Sequence, residues 1–362
     1  TWYPIPDGLG FSLVIVDETA PWNTWDDKAS WRASGIVNGS PGAPDPAAAA
    51  FNPVIVNEVL THTDLPQLDS VELFNPSTNA VNVGGWFLTD DFRAPKKYRI
   101  PGGTTIAGRS YLVLNENQFN TGPNAFRFSE LGEFVYLFSG DANTNLTGFY
   151  HGYEFGEAPN GVSFGRYTNS QGDVHFVLQS AGTLGTNNAS PRVGPIVISE
   201  IMYHPPDTNG ADNDLDEFIE LTSVVATNVP LYDPGATTNT WRLRNAVDFD
   251  FPPAQSLAAG LRLLVVGFNP TNTVQLAAFR AKYGVSNSVA VFGPWSGKLD
   301  NSGETIELKQ PGPPDDTLTV PYYMIDKVAY GDEAPWPAGA DGIGNSLQRA
   351  SKTTYGNDPN NW

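Results

Sequence analysis

The sequence has no cysteine, and only two methionines and four histidines among its 362 residues. Without cysteine there is no disulfide to hold a fold and no structural zinc of the thiolate kind. An extracellular setting is not thereby excluded, since many bacterial surface proteins lack cysteine. Positive charge is also scarce: 20 Lys and Arg stand against 39 Asp and Glu, a net charge of −19. Nucleic-acid partners usually leave a basic stripe, and none is visible, so no nucleic-acid partner is expected. The same acidity keeps the surface soluble and attracts cations. No apolar run approaches the length of a membrane span and no signal peptide is present, so no membrane insertion is expected in this segment.

Turn formers are abundant. There are 36 Gly and 30 Pro, while aromatic residues make up 12% of the chain, too many for a disordered tether. Short apolar runs between strong turn formers point to an all-β fold of sandwich type. Strands are expected at Val54 to Leu60, Ser70 to Asn75, Gly85 to Asp90, Ser110 to Leu114 and Glu133 to Phe138. A second series runs from Ile196 to Met202, Asp216 to Thr222, Thr240 to Leu243, Arg262 to Val266, Glu304 to Lys309 and Asp326 to Tyr330. Only Val274 to Tyr283 has helical character, and without alternating helical crossovers a parallel α/β sheet is not expected.

The two series are copies. Val54-Ile55-Val56-Asn57-Glu58-Val59-Leu60-Thr61-His62 reads again as Ile196-Val197-Ile198-Ser199-Glu200-Ile201-Met202-Tyr203-His204. Ser70-Val71-Glu72-Leu73-Phe74-Asn75 likewise returns as Phe218-Ile219-Glu220-Leu221-Thr222-Ser223. Self-similarity of this kind marks tandem structural units. A third marker, an Asp-Gly or Asn-Gly turn, occurs at Asp7-Gly8, Asn160-Gly161 and Asp341-Gly342. In the two copies it falls late. Residues 1–46 are therefore expected to be the closing part of a preceding repeat plus linker, followed by modules at 52–190 and 195–362, the last truncated at its C-terminal end.

The first strand with its Asn/Ser-Glu, the Glu-Leu-Phe-Asn second strand, Gly85-Trp86-Phe87-Leu88 and the Ala-Gly-x-x-Leu-Val-Val hairpin resemble lamin tail domains, in particular the bacterial extracellular type. In the second module, Phe292-Gly293-Pro294-Trp295 and Pro335-Trp336-Pro337 are similar to the wording of that group. The resemblance runs over nearly the whole chain and implies tandem immunoglobulin-like β-sandwiches acting as non-catalytic modules of large secreted proteins. There is no heptad rod, so the chain is not an intermediate-filament protein, and the family's DNA and chromatin partners do not carry over to so acidic a chain.

Candidate chemistry lies in three places. Glu58 with His62, Glu200 with His204, and the matched Glu72 and Glu220 offer carboxylate and imidazole at fixed spacing, suited to a metal or an acid/base pair. Recurrence in both copies favours a structural role, because both need the fold and neither needs a shared reaction. The acidic loop after His204 offers Asp207, Asn209, Asp212, Asp214 and Asp216, hard oxygen donors around a Gly, as candidate calcium ligands, though not at EF-hand spacing. The first module's Asp64 to Asp69 is shorter and poorer in acids. Trp86 and Trp241 are expected in the core; Trp2, Trp22, Trp25, Trp31, Trp295 and Trp336 lie in Gly/Pro-rich segments and would be sugar platforms if exposed, or covers of the sandwich ends if not.

No Gly-x-Ser-x-Gly elbow, phosphate loop or His cluster appears, so no enzyme is expected. The expected function is a structural or adhesive module, outside the cell or at its surface, whose partners are proteins through self-association or neighbouring domains. A carbohydrate- or polymer-binding accessory module is the alternative, with polysaccharide as partner. In an array or fibre, residues 1–46 would complete a neighbour's sandwich by strand addition; their packing within the same chain would count against that.

Overall fold

The computed structural model of the chain describes residues 3–47, 51 and 53–362. It divides into two units: residues up to Arg166 with Gly182–Ala189, and Tyr167–Ala181 with Ser190–Trp362. Trp2 lies outside the described residues.

In the first unit, β1 (Phe11–Ile15) and β2 (Trp31–Val37) form an antiparallel ribbon. There follow β3 (Ile55–Leu60), β4 (Ser70–Phe74), β5 (Phe87–Thr89), β6 (Tyr98–Arg99), β7 (Tyr111–Asn115), β8 (Glu133–Gly140), β9 (Leu146–Phe155) and β10 (Phe164–Thr168). Neighbours run β10-β3-β4-β7 in one sheet and β9-β8-β5-β6 in the other. The apolar residues Val56, Val71, Leu73, Leu88, Val135 and Leu137 are buried, each stabilising the unit by about 1.5–3 kcal/mol. In β3 the polar Asn57 and Glu58 are buried as well, so their hydrogen bonds must be found inside the fold.

The second unit contains β11 (Ile196–Met202), β12 (Phe218–Ser223), β13 (Arg242–Asn245), β14 (Val247–Asp250) and β15 (Arg262–Val266). After the helix α1 (Thr273–Tyr283) come β16 (Ala290–Phe292), β17 (Ser296–Gly297), β18 (Gly303–Pro311), β19 (Tyr322–Gly331) and β20 (Leu347–Gln348). Two five-stranded sheets result, β16-β15-β12-β11-β20 and β17-β14-β13-β18-β19. One core joins both: Ile198 and Ile201 from β11 and Leu221 from β12 meet Leu243, Ile306, Val328 and the fully buried Trp241. The all-β, immunoglobulin-like sandwich expected from the sequence is the observed class.

Among the described strands there is one parallel pair. β15 and β16 pair in parallel, with Leu263 opposite Ala290, and α1 provides the crossover. The helix starts where the Asn272 side chain accepts from the Gln275 N–H and stops at Gly284, whose φ of 65° suits a residue without Cβ. Its Phe279 is buried with Phe218, Leu264 and Phe268.

The pairing in β3–β4 and β11–β12 is the same. Each first strand carries a bulge, at Asn57 and at Ser199, and each bulge is followed by opposed carboxylates, Glu58 across from Glu72 and Glu200 across from Glu220. The turn marker is used alike too: Gly161 N–H donates to the His62 carbonyl at 2.8 Å, and Gly342 N–H to the His204 carbonyl at 3.1 Å.

Residues 3–46 pack within this chain. Ile5, Leu9 and Phe11 are buried in one cluster with Phe87, Phe138 and Leu146 of the first unit. That seating counts against the segment leaving to complete a neighbour's sandwich.

Candidate functional site

The repeated carboxylates come first, because the sequence singles them out. Glu58 is fully buried and accepts from Ser163 Oγ at 2.6 Å, Thr183 N–H at 2.9 Å and Thr183 Oγ at 2.6 Å. Glu72, also fully buried, accepts from Asn57 Nδ2 at 2.7 Å and from the Gly185 N–H. Burial pushes the Glu72 carboxyl up to about 7, and the facing Glu58 adds to the rise, while the Gly185 and Asn57 donors oppose it. Together the pair fastens Gly182–Ala189 onto the first unit. Glu58→Ala would strand three donors; the expected cost is about 2–4 kcal/mol, with faster amide exchange at Thr183 as the direct readout. Unchanged exchange there would contradict the fastening.

The second unit repeats this more loosely. Glu200 accepts from Ser346 Oγ at 2.5 Å and Gln348 Nε2 at 3.5 Å. Glu220 accepts from Ser199 Oγ at 2.7 Å and meets Arg262 Nη1 at 3.5 Å. The histidines are engaged as well: His62 Nδ1 lies 2.7 Å from the Ala158 carbonyl and Nε2 3.0 Å from Glu130, and His204 Nδ1 lies 2.5 Å from Asp341 Oδ1. Every one of these matched groups spends its hydrogen bonds inside its own unit.

The acidic loop is different. Its tip is a tight turn in which Thr208 and Ala211 exchange backbone hydrogen bonds, with Asn209 (φ 56°) and Gly210 (φ 75°) at the left-handed positions. The turn folds Asp207 and Asp212 back so that one ligand atom from each, and one from His204, all lie within 4.8 Å of one another. The remaining candidates are not in that group. Asn209 is exposed at the tip, Asp214 opens a short 3-10 turn, and Asp216 is drawn off to Lys282 at 2.6 Å and Asn213 Nδ2 at 2.6 Å. Asp212 has its own cation, Lys298 at 2.8 Å, and accepts from Asn301 Nδ2 at 3.2 Å; these hydrogen bonds hold its carboxyl below the usual carboxylate range.

Sequence reasoning missed the group that matters most here. Glu217, next to the loop, is fully buried. One carboxylate oxygen accepts from Leu299 N–H at 3.1 Å, and the other, Oε1, has no hydrogen-bond partner. Burial pushes this carboxyl up to about 8, and the Asp214 and Asp212 charges push the same way. Nothing in its spacing marks it, because Glu217 reads as the edge of a strand.

Residues 47–157 match the family model of the Lamin Tail Domain. This segment is a lamin tail domain. Among the curated proteins none matches. Among solved structures, the chain is similar to a DUF4876 family protein from Bacteroides thetaiotaomicron, at 11% identity and a TM-score of 0.25, over 77% of this chain and 78% of that one.

Within the lamin tail domain the matched region carries β3 to β9, and so both Glu58 and Glu72. Trp86 of this domain and Trp241 of the second unit are buried, as expected of core residues. Trp295 is buried too, and Trp336 packs against the second core with Trp362, their ring centroids 6.3 Å apart. Neither stands free on the surface, whereas Trp22 is 80% exposed. Asn188 is tied to Asn57 and to the Arg166 carbonyl, so its amide nitrogen is committed to the fold.

Proposed function

We propose that the chain is a non-catalytic structural or adhesive module of a large bacterial surface or secreted protein, working outside the cell through protein contacts. One observation carries this reading. The carboxylates and histidines that recur in both units are consumed by internal hydrogen bonds and hold segments in place. The lamin tail domain is an immunoglobulin-like, non-enzymatic family, which agrees. The test is where the protein sits: antibody against this chain should label intact cells of its source, and external protease should remove the label. Label confined to lysed cells overturns the reading.

A calcium role for the second unit deepens it. The support is the meeting of His204, Asp207 and Asp212, with the unpartnered Glu217 Oε1 beside the same acidic stretch. Asp207 and Asp212 would be the carboxylate ligands, with Asp214 and Asn209 available if the loop tightens, whereas Asp216 would have to leave Lys282. Calcium and Lys298 compete for Asp212, so Lys298→Ala should enlarge the rise in melting temperature that calcium produces over chelator. No rise in either protein removes calcium from the account.

A further inference from the structure

A short pattern occurs twice with the same spacing: Gly8-Leu9-Gly10-Phe11-Ser12-Leu13 and Gly342-Ile343-Gly344-Asn345-Ser346-Leu347. The backbone repeats with it. Gly8 and Gly10 have φ of 91° and 83°; Gly342 and Gly344 have 68° and 104°. Both copies thus make the same pair of left-handed steps, which favour glycine.

In the second unit this turn delivers β20 to the edge of β11. Leu347 lies opposite Ile201 and Gln348 opposite Glu200 in an antiparallel pair. Ser346 Oγ donates to Glu200, and Leu347 is fully buried. The first unit builds the same joint from different letters: Phe164 lies opposite Val59 and Gly165 opposite Glu58, Ser163 Oγ donates to Glu58, and Phe164 is buried. The joint therefore has a constant form: a serine hydroxyl on the first-strand glutamate, a buried apolar residue after it, and a short antiparallel pair.

At Ser12–Leu13 half of that joint is present. β1 pairs with β2, and no other described strand pairs with it. Ser12 is exposed, and Leu13 is 39% exposed where Leu347 is not exposed at all. Val16 and Ile36 on the same ribbon are exposed as well. A strand with one open edge, bordered by exposed apolar side chains, is a template for pairing.

We propose that β1 is a docking edge for one β-strand of the apolar–Asn/Ser–Glu–apolar type, the type of β3 and β11. The incoming strand pairs antiparallel with Ser12–Val14, its glutamate accepts from Ser12 Oγ, and its apolar residues cover Leu13. The occupant follows from the joint: in both units the strand after the serine pairs with a first strand of this pattern. The segment 3–46 stays seated through Ile5, Leu9 and Phe11 and receives a strand, rather than leaving to supply one. The inference rests on this geometry and not on the location of the protein, so either can fail alone.

The probe is a fluorescein-labelled peptide with the sequence of residues 54–62, titrated into the full chain and read by anisotropy. Saturable binding is expected, with amide exchange slowed at Leu13–Val16. Leu13→Asp should weaken binding by at least about tenfold while leaving the melting temperature unchanged, because the residue is exposed in the free chain. Ser12→Ala should weaken binding of the peptide carrying Glu, and leave that of a peptide with Leu in its place, which has no acceptor for the hydroxyl, nearly unchanged. No binding, or binding that Leu13→Asp does not weaken, overturns the proposal.

Discussion

Asp326→Ala is expected to cost the second unit about 3–5 kcal/mol. Asp326 stands on β19, where its carboxylate accepts from the Ile198 N–H of β11 at 2.8 Å and pairs with Arg349 Nη1. The Arg349 side chain has no exposure, and it also donates to the carbonyls of Ile198 at 3.1 Å and Thr354 at 2.6 Å. Burial pushes the Asp326 carboxyl up, and the guanidinium pulls it back. Truncating the acid leaves a buried cation and a buried amide without their acceptor, which costs far more than the pair contributes. Denaturant unfolding, with amide exchange in β11 to localise the loss, is the measurement. Adding Arg349→Met to the Ala variant should recover part of the stability; a single-variant loss under about 1 kcal/mol would contradict the assignment.

The second large effect is a pH dependence. Glu217 has a carboxyl near 4.5 when unfolded and is pushed up to about 8 when folded. A raised acid binds its proton more tightly in the folded state. Its stabilising contribution is therefore full below about pH 4.5 and is lost progressively as pH rises through 8. The second unit should lose up to about 4 kcal/mol from this group between pH 5 and pH 9, and Glu217→Gln, which keeps the shape without the charge, should flatten that slope. Equal slopes in both proteins would show that the carboxyl ionises without penalty. The first unit has the same sign of dependence from Glu72, so the readout must come from amides of the second unit.

Much of this was legible in the sequence. The apolar alternation placed β3, β4, β7 and β8 within a residue or two, and the unbroken run Val274 to Tyr283 lies inside α1. The ten-residue β9 was not foreseen; it contains Gly148 and Gly152, and its apolar residues do not alternate. In the fold Gly152 is needed: a Cβ there would stand 2.3 Å from the Val135 carbonyl on β8. Sequence spacing also named the paired glutamates and histidines but could not say what they hold. Their partners, Thr183, Gly185, Ser346 and Asp341, lie from 113 to 146 positions away in the chain, as the bonds Glu72–Gly185 and Glu200–Ser346 illustrate. Glu217 escaped for the opposite reason, since burial alone gives it its character.

The fastening of Gly182–Ala189 has a mechanical side. Thr183 and Gly185 hang on Glu58 and Glu72, and Asn188 hangs on Asn57 and the Arg166 carbonyl, all of them groups anchored in the lamin tail domain. The loop is also closed at its base, where the Ser180 N–H donates to the Ser190 carbonyl at 2.9 Å and the Arg192 N–H to the Leu178 carbonyl at 2.8 Å. A pull on the chain beyond Ala189 therefore loads that base first, and the carboxylate hooks carry load only after it opens.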